Sequence, residues 1–143
     1  MLNRSLTTTL DRMMTLNRAL DEAFTNMNGT DSARLWVPAI DLFEKKDSYV
    51  VRAELPGVAR ENIDITFEKN ILTISGQKHS MTESKDEEIR VHAAERVSGA
   101  FSRSLRLPEY IDGEQIAAEY KDGLLTVTVP KAQVAQARKI EVR

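Results

Sequence analysis

Alternation with a period of two, cut at short intervals by turn signals, is the feature that most limits what this chain can become. Side chains of a β-strand point to opposite faces in turn. In "YVVRAEL", Tyr49, Val51, Ala53 and Leu55 fall on one face, while Arg52 and Glu54 fall on the other. "LPG" at Leu55–Gly57 breaks that run. In "IDITFE", Ile63, Ile65 and Phe67 alternate with Asp64, Thr66 and Glu68. Lys69–Asn70 then makes a tight turn and "ILTISG" returns. Near the end "IAAEY" leads through Asp122–Gly123, a strong hairpin signal, into "LLTVTVP". No pattern of helical length separates these runs. Short strands at this spacing predict an antiparallel β-sandwich.

One strand breaks its own rule. In "ERVSGAFSRSLRLP", Phe101, Leu105 and Leu107 share a face, and Arg103 falls on that same face. A guanidinium there must be fully hydrogen-bonded or paired. Its planar fork suits a carboxylate, either on this chain or across an interface. The other reading packs the stem and lets the head reach water at the rim of the sheet.

The flanks read differently. Leu2, Leu6, Leu10, Met13, Leu16, Leu20, Phe24 and Met27 recur at steps of three and four. That period predicts an amphipathic helix from about Thr9 to Met27, with the capping pair Thr8 and Asp11 before it and Asn28–Gly29 after it. The stripe, with Met14 beside it, must be buried against its own sandwich or against another molecule. Residues 77–95 form a polar excursion ending in "IRVHAAE", one more candidate strand, able to add itself to a neighbour's sheet edge or to close a long hairpin. At the other end "KAQVAQARK" precedes "IEV", in which Ile140 and Val142 point one way and Glu141 the other. Nine extended residues reach about 30 Å. Two such knobs, each gaining roughly 1.5–3 kcal/mol on burial, hold weakly alone and firmly only in number. The chain divides into an arm (1–35), a sandwich (36–131) and an extension (132–143).

Chemistry finds little to use here. The glycines form neither a phosphate-binding loop nor a dinucleotide fingerprint. The two histidines, His79 and His92, have neither a second ligand at metal spacing nor a serine nucleophile to orient. There is no cysteine, so disulfides and thiolate metal sites are excluded. A net charge of −2 gives no electrostatic case for nucleic acid or an anionic membrane. The N-terminal stretch reads as neither a signal peptide nor a membrane span. We therefore expect no enzyme activity and no cofactor, and look for function in surfaces.

Four motifs together resemble the small heat-shock proteins, which carry an α-crystallin domain. Glu95, Arg96, Gly99, Phe101, Arg103, Leu107 and Pro108 match the family's long strand motif. "LPG" at Leu55–Gly57, following "VPAID", matches its first half, and "AEYKDGLLTVTVPK" at Ala118–Lys131 its glycine-leucine signature. Ile140 and Val142 match the I-x-[IV] of its tail. The resemblance implies an all-β, immunoglobulin-like antiparallel sandwich with a helical arm and an extended tail. It also implies an ATP-independent holdase, which keeps partly unfolded clients refoldable for ATP-driven chaperones, and the lack of cysteine fits a cytoplasmic setting. Clients would meet Leu6, Leu10, Met13, Met14, Leu20 and Phe24. The building block would be a dimer, with Ile89, Val91, Glu95 and Arg103 at its interface, assembling further through Ile140 and Val142. Those two would dock in a neighbour's groove lined from among Ile63, Ile65, Phe67, Ile116 and Ala118. The rival expectation is a CS-type co-chaperone or scaffold module that binds one defined partner.

Overall fold

The computed structural model describes residues 15–16, 18–19, 36–80, 88–108, 110–133 and 141–142. Within them seven strands form two antiparallel sheets: β1 (Ile40–Glu44), β2 (Ser48–Glu54), β3 (Ile63–Glu68), β4 (Ile71–Lys78), β5 (Gly99–Arg106), β6 (Ala117–Lys121) and β7 (Leu124–Pro130). The first sheet runs β1-β2-β7-β6 and the second β3-β4-β5.

The predicted turns fold as their residues dictate. Lys69 and Asn70 both take positive φ, at 50° and 61°, and so do Asp122 and Gly123, at 53° and 76°. Two successive positive φ values match the right-handed twist of the flanking strands, so β3-β4 and β6-β7 close as two-residue hairpins. Register then sets the faces. Leu42, Val51 and Val127 align across the first sheet, and Ile65, Ile74 and Arg103 across the second.

The core lies between the sheets. Val51, Ala53, Leu55, Leu72, Ile74, Phe101, Leu105, Leu107, Val127 and Val129 are all buried there. Trp36 packs edge-on against Phe101, their ring centroids 5.1 Å apart. Gly76 sits where there is room for a hydrogen but not for a Cβ. A Cβ there would lie 2.0 Å from the Asn62 carbonyl oxygen and 2.7 Å from the Phe101 ring.

Two sequence expectations need correction or addition. β1 carries no clear sequence signal, because Ile40, Leu42 and Phe43 are only half-buried on an edge strand and leave a weak alternation. The expected strand over Ile89–Glu95 is absent from this chain. Residues 88–97 are exposed and irregular, and among the described residues they pair with neither sheet. Of the predicted N-terminal helix, Thr15, Leu16, Arg18 and Ala19 are described, and all four are helical. Leu6, Leu10, Met13, Met14, Leu20, Phe24 and Ile140 lie outside the described residues.

Candidate interaction surfaces

Among the described residues each sheet ends in an unpaired edge, and two of these edges border one slot. β3 is the edge of the second sheet and β6 the edge of the first. The two run alongside one another. At one end a Cβ on Gly113, just before β6, would lie 3.0 Å from the Phe67 ring of β3. At the other end the Tyr120 hydroxyl sits 2.8 Å from the carbonyl oxygens of both Leu55 and Val58, on the chain leading into β3, and its proton is shared between them.

Alternation turns Ile63, Ile65 and Phe67 toward the slot's floor, where each is half-buried against the core, as is Ile116. Ala118 pairs with Val127, which faces the core, yet Ala118 itself is exposed. An inward position left open on an edge strand means that the slot is not filled by the described residues of this chain. Its borders are unpaired backbone, the natural template for an added extended segment. Of the five residues expected to line a tail-accepting groove, Ile63, Ile65 and Phe67 stand on β3, Ala118 on β6 and Ile116 just before it. Val142 is 96% exposed and lies free of the sandwich.

The root of the tail is pinned. After β7 the Lys131 backbone N–H donates to Asp47 at 2.9 Å and that of Ala132 to Tyr110 at 3.0 Å. The Lys131 ammonium donates to Oε1 of Glu44 at the end of β1 and lies 5.1 Å from the centre of the Tyr49 ring. Tyr49 donates its hydroxyl to the same Glu44 oxygen at 3.3 Å. The ammonium's own hydrogen bond to Glu44 holds the Lys131 pKa above its ordinary value. Burial, and then the Glu44 charge, raise that of Tyr49. This cluster, which sequence reasoning missed, joins residues separated by most of the sandwich. Only the register of β1, β2 and β7 brings them together.

Arg103 does face inward, in line with Ile74. Its Nη1 donates to the Pro38 carbonyl oxygen at 2.8 Å. Within one chain the arginine therefore ties β5, in one sheet, to the segment that enters β1 in the other. Ile89 and Val91 lie on the exposed 88–97 segment, 45% and 49% exposed, with Val97 at 52%. Glu95 is exposed between them and Arg103. Among the described residues no grouping of three or more His, Asp or Glu could hold a metal, and no helix is long and apolar enough to cross a membrane.

Comparison with known proteins places these surfaces in context. The family described as Hsp20/alpha crystallin matches residues 41–143. Small heat shock protein C4 of Rickettsia felis is 43% identical over 105 residues, covering 73% of this chain and 63% of that protein. The chain thus spans under two thirds of that relative's length. Among solved structures, heat shock protein 16.0 of Schizosaccharomyces pombe superposes with a TM-score of 0.64 at 36% identity, covering 76% of this chain and 99% of that one. A small heat-shock protein from Xylella fastidiosa, described as having a distinct high-order structure, gives 0.65 at 32% identity, covering 76% and 97%.

Proposed function

The chain belongs to the Hsp20/alpha crystallin family, and from that membership we propose that it is an ATP-independent holdase, a chaperone that binds partly unfolded proteins and suppresses their aggregation. The observation that carries this reading is the slot between β3 and β6 that the described residues leave unfilled, together with the apolar side chains of residues 88–97 that no described strand covers. A sandwich that leaves an inward position open and an apolar segment unpaired is built to be completed by another polypeptide. No observation favours a module for one defined partner.

In this proposal the parts divide as arm (1–35), sandwich (36–131) and extension (132–143). The slot accepts Ile140 and Val142 of a neighbouring copy, against Ile63, Ile65, Phe67, Ile116 and Ala118. Residues 89–95 add to a second copy's sheet and form a dimer, with Arg103 bracing the chain at its edge. Leu6, Leu10, Met13, Met14, Leu20 and Phe24 meet clients, since methionine-rich stripes adapt to irregular apolar surfaces. Refolding would fall to ATP-driven chaperones in the cytoplasm.

The test is the light scattering of a thermolabile enzyme heated with the full chain and without nucleotide. Suppressed scattering at near-equimolar protein, lost when residues 1–31 are deleted, supports the reading. Scattering that rises as fast with the protein as without it refutes it.

A further inference from the structure

The sandwich sets a lysine against an aromatic ring at both ends of its chain. Where the chain comes in, Lys78, only 8% exposed, holds its ammonium 4.8 Å from the centre of the Trp36 indole. Where the chain leaves, the Lys131 ammonium lies 5.1 Å from the centre of the Tyr49 ring. The exit is the more closely built. The Lys131 ammonium and the Tyr49 hydroxyl donate to the same oxygen, Oε1 of Glu44, so that cation, carboxylate and phenol close a triangle. The backbone is held at the same place. The Lys131 N–H donates to the Asp47 carbonyl oxygen at 2.9 Å and the Ala132 N–H to that of Tyr110 at 3.0 Å, while the Asp112 N–H donates to that of Pro130 at 3.0 Å. Lys131 is thus gripped by the turn between β1 and β2 and, through its bridge to Ile111, by the segment that leads toward β6. Just beyond, Ala132 and Gln133 line one cleft with Ile111, Asp112 and Gly113.

We propose that Lys131 is the positioning residue of the extension. With Glu44 and Tyr49 it sets the heading on which residues 132–143 leave the sandwich, and hence which neighbouring slots Ile140 and Val142 reach. The inference rests on the docking of those two residues proposed above and names what aims them. Energetics separates this role from a structural one. The Lys131 and Glu44 side chains keep 26% and 30% of their surface in contact with water, and an ion pair so placed adds little to stability. The apolar core already secures the sandwich. What the triangle adds is direction, because it fixes a side chain on the residue whose backbone, with that of its successor, is already tied on both sides. Direction matters because the tether is long. From Ala132 to Ile140 eight residue steps span at most about 28 Å. Over that reach a swing of about 30° at the root carries the far end about 14 Å sideways, roughly three strand spacings. A tethered contact is strong when the tether meets its site and is lost when geometry forbids it. A weak ion pair at the root therefore controls a larger quantity, the effective concentration of the two knobs at a neighbour's slot.

A mutant cycle in the full chain tests this, with Tm read by calorimetry and assembly mass by size-exclusion light scattering over a dilution series. Lys131→Met keeps the stem and removes the charge, Glu44→Ala removes the carboxylate, and Lys131→Arg keeps both charge and donors. We expect Lys131→Met and Glu44→Ala to shift Tm by less than about 5 °C. Each should raise the concentration at which the assembly half-dissociates about tenfold. The double variant should be no worse than either single one, since both break the same triangle, and Lys131→Arg should recover most of the assembly. Unchanged assembly in both single variants overturns the proposal. So do losses that add in the double variant, and so does an assembly that weakens only as far as Tm falls, which would make the triangle merely structural. Ile140→Gly/Val142→Gly separates the two readings. If it leaves the mass unchanged, tail docking falls and the positioning role with it. If it shrinks the assembly while the Lys131 and Glu44 variants do not, the positioning role alone falls.

Discussion

Tyr120 holds the turn between β2 and β3 against β6 with one hydroxyl. Removing that hydroxyl leaves two carbonyl oxygens, those of Leu55 and Val58, with one donor fewer. Orphaning such groups costs about 1–3 kcal/mol. Tyr120→Phe should therefore lower Tm by roughly 4–8 °C for each kcal/mol lost in a domain of this size, read by calorimetry. An unchanged Tm would show that water replaces the phenol. The same residue sets a pH limit. Burial raises the Tyr120 pKa above 10.0, and burial and Glu44 raise that of Tyr49. The hydrogen bond to Glu44 raises that of Lys131 above 10.5. Each group binds its proton more tightly folded than unfolded. Their stabilisation is thus complete below about pH 10 and is lost as pH climbs through the folded values. Urea midpoints should stay flat toward pH 9 and fall above 10, together with tyrosine ionisation at 295 nm. A midpoint indifferent to that range would contradict the assignment. At this scale the sequence was only half legible. Arg103 could be seen to sit on the wrong face, but not that its donor would find the Pro38 carbonyl. Lys78 and Lys131 gave no signal at all, because their roles depend on Trp36, Glu44 and Tyr49, which only tertiary register brings near.

At the scale of elements, runs bounded by turn residues were readable and runs without them were not. The β3-β4 and β6-β7 hairpins followed from Lys69–Asn70 and Asp122–Gly123, where backbone sterics decide the shape locally. β1 was hidden because an edge strand buries too little on either face to alternate cleanly. Residues 89–95 alternate like a strand yet pair with nothing among the described residues. Periodicity reports that a segment can pair, not with which molecule. The groove residues stand on β3, on β6 and just before β6, the two edge strands that flank the slot. What fills the slot is a matter for experiment. Replacing Ile140 and Val142 by Gly removes both apolar knobs, a loss of roughly 3–6 kcal/mol of gross burial per tail. Light scattering of the full chain should then report a smaller assembly with the sandwich still folded. An unchanged mass would remove the tail from the assembly.

For the whole molecule, the account joins a stable core to unfinished boundaries. The ten core residues named above, with Tyr49, Val58 and Leu125, secure the sandwich, while the slot, the 88–97 segment and the exposed Val142 lie at its margins. Contacts of modest strength, repeated in many copies, exchange readily and leave apolar surface to offer an unfolding protein. The most direct check is to heat the full chain with a thermolabile enzyme, without nucleotide, and to measure the mass and composition of the soluble material by size-exclusion light scattering and denaturing gel. We predict one large soluble species containing both proteins. The chain eluting alone at its unheated mass, with the enzyme in the pellet, would contradict the claim that this sandwich is completed by damaged proteins.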